Sequence, residues 1–253
     1  VRIAIQQGIN RQQISDALLG PLGGTPTVLN NHIFMGNQNG YKDNSAVVAF
    51  DQAKAKAGLE AAGWTLAEGD KFRKKGGKEL TLNLLIPSGT PAPLVESPLI
   101  QSQLKDIGVN VKIVAKGDDF FDFVSNGGFD MTIFTWVGTP FPISSSKSIY
   151  QKPVGDNIFQ NYFRVGTKNI DSLFDQDAIE LDPAKAIDLA NQADTAIWTE
   201  GHSLSTYQRS ELIACNNNLV YYGAVGFASL KYQDIGFKKG SQQSATPAAS
   251  TTP

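Results

Sequence analysis

Apolar and polar positions change period several times along this chain, and each change marks an element. Residues 1–19 repeat at helical spacing and predict two helices, Val1–Gly8 and Arg11–Leu19, with Asn10 as the N-cap of the second and Gly20-Pro21 as its stop. Residues 20–50 are rich in Gly, Asn and Pro and show no period. An irregular stretch of that length is expected to wrap a surface or line a site. Asp51 then caps a third helix, with Ala53, Ala57 and Ala61 on one face and Gly63 just past its end. The turn-rich residues 68–78 predict a hairpin connection between short strands.

From Glu79 onward strand and helix alternate. Leu80–Ile86 predicts a buried strand, Pro93–Ile107 an amphipathic helix, Val109–Ala115 a second strand, Asp118–Val124 a short helix and Phe129–Trp136 a third strand. Such alternation implies α/β layers joined by crossover connections. Residues 137–168 are irregular, and helices follow over Ile170–Ile179 and Asp182–Thr199, the latter with Pro183 in its first turn. Short strands are predicted at Ser203–Tyr207 and Leu212–Cys215. Residues 241–253 contain only Ser, Gln, Ala, Thr and Pro, which cannot bury a core and are expected to stay disordered.

Charge and composition narrow the function. With 22 Lys plus Arg against 24 Asp plus Glu, the formal charge of −2 argues against a nucleic-acid partner, because there is no excess of cations to displace counterions. Apolar runs such as Leu82–Ile86, broken by Asn83, are far too short to span a bilayer. The single cysteine, Cys215, excludes an internal disulfide and any multi-thiolate metal site, and its strand context predicts a small buried side chain. His32 and His202 lie in polar loops without spaced partners, so they are expected to be exposed or locally bonded rather than metal ligands. There is no Gly-x-Ser-x-Gly elbow. Gly76-Gly77-Lys78 lacks the upstream Gly and following Ser/Thr of a phosphate loop, and the run 21–24 follows a helix, not a strand. Asp118, Asp119 and Asp122 stand at a helix start, where capping and dipole complementation explain them. No catalytic residue, metal site or cofactor is predicted. What remains is Trp136-Val137-Gly138-Thr139-Pro140-Phe141-Pro142. A strand that ends in Trp, Gly and two prolines places an aromatic plate and stiff backbone at the carboxyl edge of a sheet, where ligands of open α/β sheets bind.

Several segments together resemble the family 5 extracellular solute-binding proteins, the oligopeptide and dipeptide receptors of ABC importers. Val1-Arg2-Ile3-Ala4 through Ile9-Asn10-Arg11 is similar to a mid-chain helix pair of that family, with Asn10 where the family usually has Asp. Phe50-Asp51, Lys54-Ala55, Leu59 and Ala62-Gly63-Trp64 match a further motif. Lys78–Leu82, Ile100–Leu104, Ile107–Val109 and Phe129-Asp130 before Trp136 follow in the family's order, so the likeness spans residues 1–240.

The resemblance implies an α/β fold, one lobe of a type II periplasmic-binding-protein-like architecture with a mixed sheet flanked by helices. Residues 1–202 would form the carboxy-terminal lobe, 203–240 a return segment towards the missing amino-terminal lobe, and 241–253 a disordered tail. The abrupt start at Val1 would then be a cut. The implied function is the extracytoplasmic, lipid-anchored substrate-binding component of an ABC transporter, with a peptide or other small solute and a membrane permease as partners. Trp136, Val137, Gly138, Thr139 and Phe141, with Phe120 and Tyr207, are the candidate ligand-binding residues. Peptide receptors of this family typically carry Asp where this chain has Thr139, to pair with a peptide's α-ammonium, and no Lys, Arg or His occurs between Gly117 and Ser146. A hydroxyl cannot neutralise a desolvated ammonium, so a neutral or apolar ligand, a modified peptide or no transported solute is expected. The missing acid also favours an alternative: a lipid-anchored scaffold or regulatory protein of the same fold that binds a protein partner and no transported solute.

Overall fold

The computed structural model describes residues 1–23, 25–209 and 211–240; the expectation for 241–253 falls outside them. The chain divides into two compact units, Val1–Gln208 and a second beginning at Arg209. In the first unit, helices α1 (Arg2–Gln7), α2 (Arg11–Leu19) and α3 (Gln52–Ala61) precede a short ribbon of β1 (Lys74–Lys75) and β2 (Lys78–Glu79). The central elements are β3 (Thr81–Pro87), α4 (Pro91–Asp106), β4 (Asn110–Lys116), α5 (Phe120–Asn126) and β5 (Met131–Thr132). Helices α6 (Pro142–Tyr150), α7 (Lys168–Asp177) and α8 (Pro183–Thr199) complete it. No helix among the described residues is long and apolar enough to cross a membrane.

The central sheet runs β4-β3-β5 with every pairing parallel, and the antiparallel pairings lie outside it, in two-stranded ribbons and isolated bridges. Strand β3 is buried on both faces, as a strand between helical layers must be. Leu84 and Ile86 join Ile14, Leu59, Leu104 and Ile107 in the core beneath α1–α4. Leu85 points the other way, onto Phe120 and Val124 of α5. A third cluster packs α7 against α8 with Phe34 and Tyr150.

Helix starts follow the expected capping chemistry. Asn10 Oδ1 accepts from Gln13 N at 3.1 Å, Asp51 Oδ1 from Lys54 N at 2.9 Å, and Asp182 Oδ1 from Ala184 N at 2.9 Å. At α5 the expectation is corrected: Asp119 holds the N-cap position but its side chain makes no capping bond. On α3 the buried positions are Ala55 and Leu59, while Ala53, Ala57 and Ala61 are exposed, because the large Leu selects the stripe that meets the core. Helix α6 replaces part of the irregular stretch expected after residue 137; its three successive serines hide the apolar positions Ile143, Ile149 and Tyr150. The strand expected over 203–207 finds no ladder partner among the described residues. Leu204 and Tyr207 pack on the first core instead, and side chains hold the backbone, with an Arg11 guanidinium nitrogen donating to Ser205 O at 3.0 Å.

The second unit places its strands elsewhere than expected. Strand β6 (Leu219–Val220) runs antiparallel to β7 (Gly236–Phe237), and no strand forms at 212–215, where Cys215 is exposed rather than buried.

Both histidines depart from the exposed or local arrangement expected of them. Asp194 of α8, fully buried, accepts from His32 N and His32 Nδ1, each at 2.8 Å, and from Asn44 Nδ2 at 2.8 Å. His32 Nε2 faces Ser203 O at 3.2 Å. Asn191, one turn earlier, donates to Gly40 O and accepts from Asn31 and Asn44. The irregular residues 30–44 are therefore ordered by polar side chains of one helix. His202, 4% exposed, donates from Nε2 to Asn161 Oδ1 at 3.0 Å and takes Ser203 Oγ at Nδ1, a set that suits the neutral ring. Burial, then the nearby His32, push its pKa down to about 3.

Two outcomes follow from this packing. Asp194→Ala leaves the donors of His32 and Asn44 buried without an acceptor and is expected to cost about 3–5 kcal/mol in urea unfolding. His202 stays neutral in the fold while the unfolded chain takes up a proton below about pH 6.5, so stability is full above that pH and falls as the pH drops towards 3. One proton amounts to about 1.4 kcal/mol per pH unit, or about 2 kcal/mol between pH 6.5 and 5. Urea titrations across that range should show the slope, and His202→Asn should flatten it.

Candidate functional site

The site begins where β5 leaves the sheet. Asp130 N and Ile133 N donate to Asn83 O and Leu85 O, each at 3.3 Å, on either side of the two paired residues. The next donor along β3 on that side would be the N–H of residue 87, which is Pro87 and has none. The ladder expected to reach Trp136 therefore stops at Thr132, and residues 134–141 run out past the carboxyl edge until Pro142 opens α6.

That run carries an aromatic surface. Trp136 is 38% exposed, Val137 86% and Phe141 74%. Trp136 lies almost parallel to Tyr162, with ring centroids 6.0 Å apart and planes 3° apart, and meets Phe134 edge-on at 5.5 Å. Phe134 in turn stacks on Phe163 at 6.0 Å and 11°, and its ring meets those of Tyr162 and the exposed Phe121 edge-on. Offset-stacked and edge-on geometries of this kind stabilise by about 0.5–1.5 kcal/mol per pair beyond area burial.

The expected site residues occupy different layers. Trp136, Val137 and Phe141 are exposed. Gly138 and Thr139 follow Val137 and are half-buried. Thr139 O accepts from Gln38 Nε2 at 2.9 Å, and its hydroxyl lies 3.0 Å from Ser145 Oγ. Phe120, 3% exposed, sits beneath the surface against Leu85 and Val124. Tyr207 packs on the first core, and its hydroxyl donates to Glu96. Phe141 is exposed, and Ile143 packs against the α7–α8 core. Sequence reasoning did not single out Tyr162, Phe163, Phe121 or Gln38. The adjacent aromatics of Asn161-Tyr162-Phe163 in a polar stretch were the available signal, and Gln38 had none.

The cations near this run are engaged. Lys116 lies over the Phe123 ring at 3.8 Å, and Lys147 pairs with Asp175. Arg164 donates to Tyr162 O at 2.8 Å and Ser125 O at 2.6 Å. The nearby acids Asp118, Asp119 and Asp122 lie at the α5 start, with Asp119 3.9 Å from Lys116. Two hollows of about 420 and 550 Å³ lie elsewhere, one bounded by Lys152, Asp156 and Arg164 and one between α7 and α8; none of the expected site residues lines them.

Comparison with known proteins gives concordant results. The chain is 39% identical over 241 residues to the oligopeptide-binding protein OppA of Mycobacterium tuberculosis (strain ATCC 25618 / H37Rv), covering 94% of this chain and 40% of that protein. It thus spans well under half the length of the curated relatives it matches. The solved oligopeptide-binding protein AppA from Bacillus subtilis, in complex with a nonapeptide, superposes with a TM-score of 0.78 at 19% identity, over 94% of this chain and 47% of that chain. The oligopeptide-binding protein from Thermus thermophilus, complexed with a pentapeptide, gives 0.74 at 22% identity, over 93% and 43%. The fold corresponds to part of a type II periplasmic binding protein. The model of the bacterial extracellular solute-binding proteins, family 5, matches residues 1–158, more than half of the sequence, and the chain belongs to that family.

Proposed function

We propose that this chain forms one lobe of an extracytoplasmic receptor that binds a peptide-like or other small solute and passes it to an ABC permease. The observation that carries this reading is the exposed run Trp136, Val137 and Phe141 beyond the carboxyl edge of a parallel sheet, backed by ordered aromatic rings. Large apolar side chains held on such a backing are a contact surface awaiting a partner, and this edge is where α/β sheets take ligands. The similarity to OppA supports a peptide as the solute class. Binding is non-covalent: ring faces take apolar groups, and the Gly138–Thr139 backbone offers hydrogen bonds.

Thr139 and the engaged lysines on either side shape the choice of ligand. With Thr139 where an acid would pair an α-ammonium, Asp130 taken up by Asn83 and no Lys, Arg or His between Gly117 and Ser146, the run favours an uncharged ligand end. Thermal unfolding of the full-length protein with matched acetyl-capped and free-amine pentapeptides tests this. Capped peptides are expected to raise the Tm by several degrees and free-amine ones by less. Trp136→Ala should weaken capped-peptide binding about tenfold. No shift with either series sinks the receptor reading; a shift with free-amine peptides alone sinks the preference for an uncharged end.

A further inference from the structure

Residues 151–166 form a loop whose construction is directed at Trp136. Its two ends touch: a Cβ on Gly166 would stand 2.7 Å from Lys152 Cα, so only glycine permits the closure. Asn161, fully buried, ties both ends from inside, its Nδ2 donating to Gln151 O at 2.8 Å and Val165 O at 2.7 Å. Its Oδ1 accepts from His202, which anchors the loop to the end of α8. Further ties run from Gln160 N to Ser148 O, from Lys152 N to Asp171 Oδ1, and from Arg164 to Ser125 O at the end of α5. Gly127, at φ +73°, leaves room for that guanidinium, which a Cβ would approach to 2.9 Å. Phe159 and Arg164 hold positive φ values of 55° and 56°, a strain of about 1–3 kcal/mol each that persists only where surroundings over-determine the backbone.

The product of these constraints is the placement of two adjacent rings. Tyr162 lies parallel to Trp136 and Phe163 nearly parallel to Phe134, each pair in an offset stack with ring centroids 6.0 Å apart. Trp136 itself is on a chain that has left its sheet and has no ladder to orient it. We propose that Tyr162, fixed by Asn161, is the positioning residue of the ligand wall: it sets the plane of the Trp136 indole so that one face is covered and the other presented to the solute. The inference rests on the receptor reading for its ligand consequence, but the positioning of Trp136 stands on the geometry alone.

The test separates the two. In the full-length protein, Tyr162→Leu is expected to shift and broaden the Trp136 indole N–H resonance, assigned with Trp136→Phe, and to weaken binding of the acetyl-capped pentapeptides about fivefold. Tyr162→Phe keeps the ring and should restore both. Asn161→Ala should broaden the same resonance; because it also unties the loop, the two Tyr162 variants decide the matter if that protein does not fold. An unchanged indole resonance in Tyr162→Leu overturns the proposal. So does an equal loss of affinity in Tyr162→Leu and Tyr162→Phe. If the resonance moves in Tyr162→Leu while Trp136→Ala leaves peptide affinity intact, the positioning role stands and the receptor reading falls.

Discussion

Ordering the long irregular segment of the first unit depends on a buried carboxylate. Backbone N–H and C=O groups outside helices and ladders must find partners if they are to be buried. Residues 30–44 meet that requirement through one face of α8. Asp194 takes the His32 backbone and ring, Asn191 takes Gly40, and Asn31 bonds Ile33, Phe34 and Lys42. Because Asp194 is fully buried, its charge is tolerable only while these donors stay in place. The segment and the helix therefore form a single ordered body. The consequence reaches the site, since Gln38, carried by that segment, holds the Thr139 carbonyl at the edge of the aromatic wall.

Legibility in the sequence followed the range of the interactions involved. The helices α1, α2, α7 and α8 and the strands β3 and β4 were readable because capping residues and hydrophobic period are local signals. The Asn10, Asp51 and Asp182 caps of α2, α3 and α8 bond as their positions predict. Failures came where a distant residue decides. The shortening of β5 depends on Pro87, more than forty positions earlier, which withholds the donor the next rung needs. The burial of His32 depends on Asp194, 162 residues away, and no local pattern announces it. Helix α6 was hidden for the opposite reason: Ser144, Ser145 and Ser146 read as loop, yet their hydroxyls bond back to Phe141 and Pro142 within the helix.

The candidate site divides along the same line. Trp136, Val137 and Phe141 were visible because a strand ending in Trp, Gly and prolines advertises an edge. Phe120 shared the aromatic character but sits on the inward face of α5, and helical phase alone separates it from the exposed Phe121. Tyr162 and Phe163 escaped notice because their place beside Trp136 is set by a loop closure, not by any period.

This architecture bears on why a short, ladder-free run can hold an ordered geometry. Fixing a backbone residue costs about 1–2 kcal/mol of conformational entropy, and residues 134–141 lack the sheet bonds that would normally offset it. The offset comes instead from ring contacts of Phe134 and Trp136 with rings supplied by α5 and the 151–166 loop, and from the Gln38 bond to Thr139. Ring contacts constrain plane and distance but leave the outer face free. A ladder would constrain the backbone and point alternate side chains away from each other. Leaving the sheet thus lets Trp136, Val137 and Phe141 remain exposed beyond its edge. The early stop at Pro87 and the strained closure at residues 159–166 serve the same geometric end.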